Sequence, residues 1–407
     1  MSNMQQNGIL HPIILKFCAL GALSRFVLIY SIYIMFFASI GLNPAVIGGI
    51  LATYEVGKLI GDLIFATMGD KYGRKNMIIL GFLFKACGIA SWIILPGIHT
   101  SFIGAFLIGS GKSGINNIES YMYDELKANN IMSNFRNSLA LKSIMTNISA
   151  SLGGFCTSGL YQLGGFRYVF LASIAVMAFI SIPYIIFCLK DQKLYTKENN
   201  KKNIFLVGKA GLMYTLQNRK IFYTVILVSI FYSAYIIYTD TNKIVMNNIG
   251  LTPDVIAKIY AIAHIVPVIT TLIFLLVKPG MLIRSVVTIS IAMWAGIGVN
   301  AYFMYGKPVI SAILLYLFLF PIFDTCIRDN LHRLILDSSI RSTVISFSQL
   351  VSSALNIVAS LTIGVLAYKY SYSISVTIFS IGIVALTVLI MILQKVDLAK
   401  RRNVKFV

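Results

Sequence analysis

Glu55, Lys58 and Asp62 stand inside one uninterrupted apolar stretch, Ala45 to Met68, which runs directly into the basic loop Gly69-Asp70-Lys71-Tyr72-Gly73-Arg74-Lys75. At about 100° per residue the three fall within about 60° of arc, so one helix face carries an acid, a base and an acid. A second set, Lys112, Asn116 and Glu119, recurs at i, i+4 and i+7 and again shares one face. An ionisable side chain near the centre of a bilayer costs roughly 2.5 to 3.5 kcal/mol on insertion scales, and such groups face a water-filled cavity or one another. The chemistry open to them is proton uptake and release by a carboxylate whose cationic partner comes and goes. Outside these sets the sequence has no nucleophile–base constellation and no metal-spaced ligands, so no catalytic residues are expected and the chain does not read as an enzyme.

The elements that must carry these charges follow from composition. The 407 residues are 57% hydrophobic and only 12% charged, where a soluble domain averages about 25% charged. The chain therefore reads as an all-α polytopic membrane protein. About twelve apolar segments reach spanning length. They run from Phe17 to Ile40, Ala45 to Met68, Met77 to Leu95, Phe102 to Tyr123, Ser138 to Tyr161 and Tyr168 to Leu189. After a polar interval they resume from Phe222 to Tyr238, Asp254 to Val277, Ser285 to Tyr305, Val309 to Cys326, Ser342 to Ala367 and Ser373 to Leu393.

Lysines and arginines cluster in alternate loops: around Lys71 to Lys75, Lys127 and Arg136, Lys190 to Lys220, Lys278 and Arg284, Arg328 to Arg341, and the tail from Lys395. The positive-inside rule then places both termini and the long central loop in the cytoplasm. The net charge of +20 expresses topology and attraction to anionic lipid headgroups, with no nucleic-acid partner expected. The first hydrophobic segment has no small-residue cleavage site behind it and reads as a retained helix. Cys18, Cys87, Cys156, Cys188 and Cys326 lack paired spacing, so neither a disulfide framework nor a zinc site is expected.

The organisation is two halves: residues 1–189 and 221–407, six spans each, joined by a hydrophilic linker at 190–220. The linker ends in an amphipathic piece, Ile204 to Leu216, suited to the inner membrane surface. Two helical bundles around a midplane site is the plan of transporters that rock between two openings. No glycine-rich phosphate loop is present, so no cofactor is expected and the energy would come from a gradient, most simply of protons.

At the second loop the chain resembles the major facilitator superfamily. Its signature, Gly-x-x-x-Asp-(Arg/Lys)-x-Gly-Arg-(Lys/Arg), is matched by Asp70-Lys71-Tyr72-Gly73-Arg74-Lys75, with Ala66 in place of the leading glycine. Ser110-Gly111 followed by Glu119-Ser120-Tyr121-Met122-Tyr123-Asp124-Glu125-Leu126 resembles the end of the fourth helix in a broad bacterial drug- or metabolite-efflux branch. Gly165 to Phe170 and Arg341 to Ser346 resemble the entries to the sixth and eleventh helices. The resemblance implies two six-helix bundles of the major facilitator fold, a monomer in a bacterial cytoplasmic membrane, and a small-molecule solute as partner. It also implies a cytoplasmic gate built from Asp70, Lys71, Gly73, Arg74 and Lys75. One feature departs from the pattern: antiporters of the family often carry a Gly-Pro pair in the fifth helix, whereas Ser151 to Gly159 has glycines and no proline.

By the same resemblance the first and fourth helices of each half line the cavity, which would place Arg25, Lys112, Asn116 and Glu119 there; with Glu55, Lys58 and Asp62 of the second helix the half presents three cations and three acids. Glu55 or Glu119 is the expected proton carrier, with Lys58 and Lys112 as partners. Lys85 is expected to pack or to snorkel, and Lys142 to reach the inner headgroups. In the second half the candidates are Asp240 and Asp324, the latter beside Arg328, Asp329, Asn330 and Arg333. His264 is open to titration or to a structural hydrogen bond, and Tyr232, Tyr235 and Tyr238 to stacking or to helix packing. The expected function is proton-coupled efflux of a small organic solute. Two readings stay beside it: an uptake permease for a nutrient, or an exporter of an anionic metabolite such as a siderophore. From another class comes a membrane receptor or scramblase that does not transport.

Overall fold

The computed structural model describes residues 11–131, 134–190, 212–276, 334 and 338–404, and every described element is helical. In chain order these are α1 (Pro12–Arg25), a 3-10 turn (Leu28–Ser31), α2 (Tyr33–Ser39), α3 (Pro44–Tyr72), α4 (Arg74–Ile94), α5 (Ile98–Ala128) and α6 (Phe135–Val176). A single π-turn (Met177–Ser181) then leads into α7 (Ile182–Cys188), followed by α8 (Arg219–Asn248), α9 (Pro253–Ala263), α10 (Ile265–Leu276), α11 (Ser338–Lys369) and α12 (Tyr372–Val404). The described chain divides into two compact units, one drawn from residues 1–196 and 246–273, the other from 197–245 and 274–407.

In the first unit the helix boundaries follow local chemistry. Asn43 caps α3, its side chain accepting from the Val46 N–H at 2.9 Å, and Pro44 at the first helical position loses no needed donor. Gly73 alone separates α3 from α4, at φ +89°, so the loop of the signature is one left-handed residue that a side chain would strain. The fifth and sixth spans are continuous in hydrogen bonding but bend at Gly164 and Gly165, the latter at φ +63°. That bend falls between the two expected spans.

The first span differs from expectation. It is not one helix from Phe17 to Ile40: α1 stops at Arg25, Val27 is extended (φ −112°, ψ 100°), and the chain resumes through the 3-10 turn into α2. The run Val27-Leu28-Ile29-Tyr30-Ser31-Ile32-Tyr33-Ile34 is rich in β-branched and aromatic residues, which lose rotamer freedom in a helix. A break inside lipid frees backbone groups, and neighbouring helices must satisfy them. α6 does so from one face: the Ser149 hydroxyl donates to the Ala22 carbonyl and the Thr157 hydroxyl to that of Leu28, each at 2.7 Å. The two donors lie eight residues apart and bracket the break. Replacing both, Ser149→Ala with Thr157→Val, removes two bonds worth roughly 1 kcal/mol each. The double variant is expected to melt measurably below the wild type in detergent, by about the sum of the two single variants.

In the second unit serines on one helix bond the backbone of another. Ser229 and Ser233 on α8 donate to the carbonyls of Ser348 and Ser352 on α11, at 3.2 and 3.1 Å. Ile221, Val225 and Val344 form a buried apolar cluster between these helices, covered by Tyr214, Leu334 and Phe347. α8 also runs ten residues past Tyr238, where its span was expected to end, so Asp240 and Lys243 are part of a continuous helix.

Candidate functional site

The charged face of α3 is held against α5 by residues too small to keep the backbones apart. A Cβ on Gly57 would come within 3.0 Å of the Phe106 backbone, and one on Gly109 would run into the Tyr54 carbonyl and stand 3.0 Å from the Lys58 nitrogen. Small residues at such crossings let polar side chains reach the facing backbone. The Ser110 hydroxyl donates to the Gly57 carbonyl at 3.0 Å and that of Ser113 to the Lys58 carbonyl at 2.7 Å. The crossing therefore fixes the register of Glu55, Lys58 and Asp62 against Lys112, Asn116 and Glu119.

Within that register the charges separate into groups. Glu55 is 3% exposed, and its Oε2 lies 3.3 Å from the Lys58 Nζ, one helical turn along α3. Asp62 is half-buried, with the Asn116 side chain hydrogen-bonded to its carboxylate and the cations of Lys58 and Lys112 bearing on it. Lys112 is half-buried, with the cations of Arg25, Lys85, Lys142 and Lys58 and the carboxylate of Asp62 bearing on it. Asn116 is exposed on the same face, as is Arg25 in the last turn of α1, next to the break.

The expectation for Lys142 changes here, and that for Lys85 is decided in favour of packing. Glu119 pairs with Lys142 on α6, Oε1 to Nζ at 2.7 Å. Lys142 thus holds α5 to α6 and does not extend to the headgroups; its stem lies on Gly21 of α1, where a Cβ would meet its Cγ at 2.8 Å. Lys85 does not snorkel. It is 1% exposed, its stem packs on Gly111, and its ammonium sits 5.4 Å over the ring of Tyr30 in the 3-10 turn, a cation–π contact. Sequence spacing on α5 could not find either lysine, because their partners lie on helices distant in sequence.

At the end of the unit that carries the signature loop, Arg74 Nη1 pairs with Asp124 Oδ2 of α5 at 2.9 Å. Lys71 stacks its ammonium 5.0 Å over the ring of Tyr72, and Lys75 is half-buried. The side chain of Asp70 lies outside the described residues. Nearby, Lys16 of α1 pairs with Glu125, whose other oxygen lies 3.1 Å from the Tyr121 hydroxyl. That hydroxyl is 2.6 Å from the carbonyl of Lys190, at the start of the central linker. Arg74→Asp is expected to lower transport, and adding Asp124→Arg to restore part of it; uptake or export assays on both variants check the pair.

In the second unit Asp240 and Lys243 pair at 2.7 Å, with side chains 15% and 7% exposed, so Asp240 is not a solvated helix terminus. The same stretch buries Thr241 and Asn242. On α11, Asn356 is fully buried with no hydrogen-bond partner for its carboxamide among the described residues. Tyr238 is buried on α8, with Tyr232 and Tyr235 half-buried. His264 falls at a break between α9 and α10, not in mid-helix. Asp324, Arg328, Asp329, Asn330 and Arg333, and the side chain of Arg341, lie outside the described residues. Among the described residues no group of His, Cys, Asp and Glu is arranged to hold a metal.

Comparison with known proteins bears on the family and the fold. The family model described as Major Facilitator Superfamily matches residues 17–334. Among solved structures, a variant of the nucleoside transporter NupG is similar at 14% identity, covering 93% of this chain and 99% of its own, with a TM-score of 0.77. A D-xylose-proton symporter is similar at 13% identity over 91% of this chain and 96% of its own, with a TM-score of 0.68. A structure bearing on proton-dependent oligopeptide transporters matches at 12% identity over 94% and 98%, with a TM-score of 0.66. At these identities the likeness is one of fold.

Proposed function

The chain belongs to the Major Facilitator Superfamily, and from that premise we propose that it exports a small organic solute across a bacterial cytoplasmic membrane in exchange for protons. As a member it is a multi-pass membrane transporter and not an enzyme. The observation that carries proton coupling is Glu55, a carboxylate 3% exposed in the middle of an apolar helix, with Lys58 at 3.3 Å. Ionised, Glu55 is neutralised by that ammonium; protonated, it no longer is, and the pair loosens. A carboxylate that changes state as the cavity changes sides converts a proton gradient into a bias between two openings. Glu119, 63% exposed at its side chain and bonded to Lys142, is the second carrier candidate.

In this reading two six-helix bundles, residues 1–189 and 221–407, rock about the site as a monomer, with the linker at 190–220 and both termini in the cytoplasm. The Arg74–Asp124 pair belongs to the cytoplasmic latch. The efflux direction rests on the resemblance of the Tyr123-Asp124-Glu125-Leu126 region to an export branch. Uptake is the second reading: a D-xylose-proton symporter shares the fold, and the fifth helix lacks the Gly-Pro pair of many antiporters.

The test uses purified protein in liposomes with a trapped pH dye, to which candidate solutes are added from outside. Solute-dependent alkalinisation of the lumen on loading one side, or acidification, separates antiport from symport by its sign. Labelled solute that crosses without any pH change would overturn the coupling.

A further inference from the structure

The charges gathered along α1 and α3 to α6 in the first unit do not balance. Five cations converge there, Arg25 from α1, Lys58 from α3, Lys85 from α4, Lys112 from α5 and Lys142 from α6, against the carboxylates of Glu55, Asp62 and Glu119. Lys58 is matched by Glu55 and Lys142 by Glu119. That leaves Asp62, already hydrogen-bonded by Asn116, against Arg25, Lys85 and Lys112, an excess of two positive charges. Lys85 turns its ammonium onto an aromatic ring, the accommodation of a cation without a carboxylate. The lysines are not interchangeable with a snorkelling set, since Lys85 is 1% exposed and its stem is clamped on Gly111, the residue before Lys112.

An ammonium out of bulk water costs several kcal/mol unless it is paired, so like charges held together there call for a counter-ion from outside the chain. The cluster sits beside the break in the first span, where Arg25 is exposed. Guanidinium and ammonium groups converging from separate helices form a receiver for carboxylate or phosphate oxygens. We infer that the solute is an organic anion whose carboxylate or phosphate is received by Lys112 with Arg25 and Lys85. This rests on the transport reading above and narrows it: neutral nucleosides, sugars and lipophilic cations are not substrates.

The test is the melting temperature of the full-length protein in detergent at constant ionic strength. The probes are citrate, succinate and glucose 6-phosphate as anions, uridine and xylose as neutral solutes, and tetraphenylphosphonium as a cation. At least one anion is expected to raise the melting temperature of the wild type, and the neutral and cationic probes not to. Titration of that shift should show the apparent affinity falling about tenfold or more in Lys112→Gln, the scale of one lost charge-assisted bond. Lys112→Arg should retain it. Arg25→Gln, at an exposed position, is the second variant should Lys112→Gln not fold, and carries the same expectation. Stabilisation by a neutral or cationic probe alone, by none of the anions, or by an anion whose shift is unchanged in Lys112→Gln and Arg25→Gln overturns the inference. Liposome assays with the labelled probes keep the two readings apart. An anion that binds but never crosses removes transport and leaves the anion site; a neutral solute that crosses equally in both variants removes the anion site and leaves transport.

Discussion

Replacing Glu55 with Gln is expected to abolish solute-coupled proton movement while leaving solute exchange in place. Glutamine keeps the shape and the hydrogen-bonding capacity of the side chain but cannot carry a proton on and off, so the variant stays in the neutral arm of the cycle. Its carboxamide can still lie against Lys58, 3.3 Å away in the wild type, and α3 remains locked on α5 by Gly57, Gly109, Ser110 and Ser113. Counterflow of labelled solute between equal concentrations should therefore persist. Proton flux in the same liposomes should fall by about two orders of magnitude, the scale on which loss of a positioned proton-transfer group is felt. Glu119→Gln, altering a largely exposed carboxylate whose loss leaves Lys142 short of its partner, should show a smaller loss of flux and a lower melting temperature. Equal and complete loss of flux in Glu119→Gln, with Glu55→Gln unaffected, would transfer the role to Glu119.

The second large effect concerns the scaffold. Gly109→Leu places a branched side chain where even a Cβ runs into the Tyr54 carbonyl and stands 2.9 Å from its carbon. Nothing at the contact is a movable side-chain end: the obstacles are the backbone of α3 at Tyr54 and Lys58, so the helices must separate or slide. Overpacking of this kind costs typically 1 to 3 kcal/mol and more where backbone must move. Separation also breaks the Ser110–Gly57 and Ser113–Lys58 bonds and displaces Lys58 from Lys112. The variant is expected to be recovered from membranes in much lower yield, to melt well below the wild type and to lose transport. Leu107→Ala, two residues away on a different face of α5, should be recovered nearly normally. A Gly109→Leu protein with wild-type melting behaviour would show that the crossing tolerates separation and that the site is not held by it.

Much of the fold was legible because lipid leaves few choices. Apolar length, Gly73 at the turn and Gly165 between the fifth and sixth spans announce themselves locally, and both glycines lie where they were read. The break after Arg25 did not announce itself, since neither proline nor glycine marks it; its support, Ser149 and Thr157, is more than 120 residues away. The same limit explains the charges. Helical spacing puts Glu55 beside Lys58 and Asp240 beside Lys243, both i, i+3 pairs within one helix. It also aligned Lys112 with Glu119, but side chains seven residues apart compete with whatever a neighbouring helix offers, and α6 offers Lys142. Packing and snorkelling both stayed open for Lys85 because α4 shows nothing else polar on that face; the approach of α4 to α5, where a Cβ on Gly81 would lie 2.6 Å from the Gly111 carbonyl, encloses it.

The measurement closest to the central claim is uphill movement of labelled solute in liposomes driven by an imposed pH difference alone. Proton-coupled transport through Glu55 predicts accumulation beyond equal concentrations with wild-type protein, its collapse on adding a protonophore, and no accumulation in Glu55→Gln although that variant still equilibrates the solute. Wild-type protein that carries the solute only to equal concentrations on the two sides, whatever the pH difference, would contradict it.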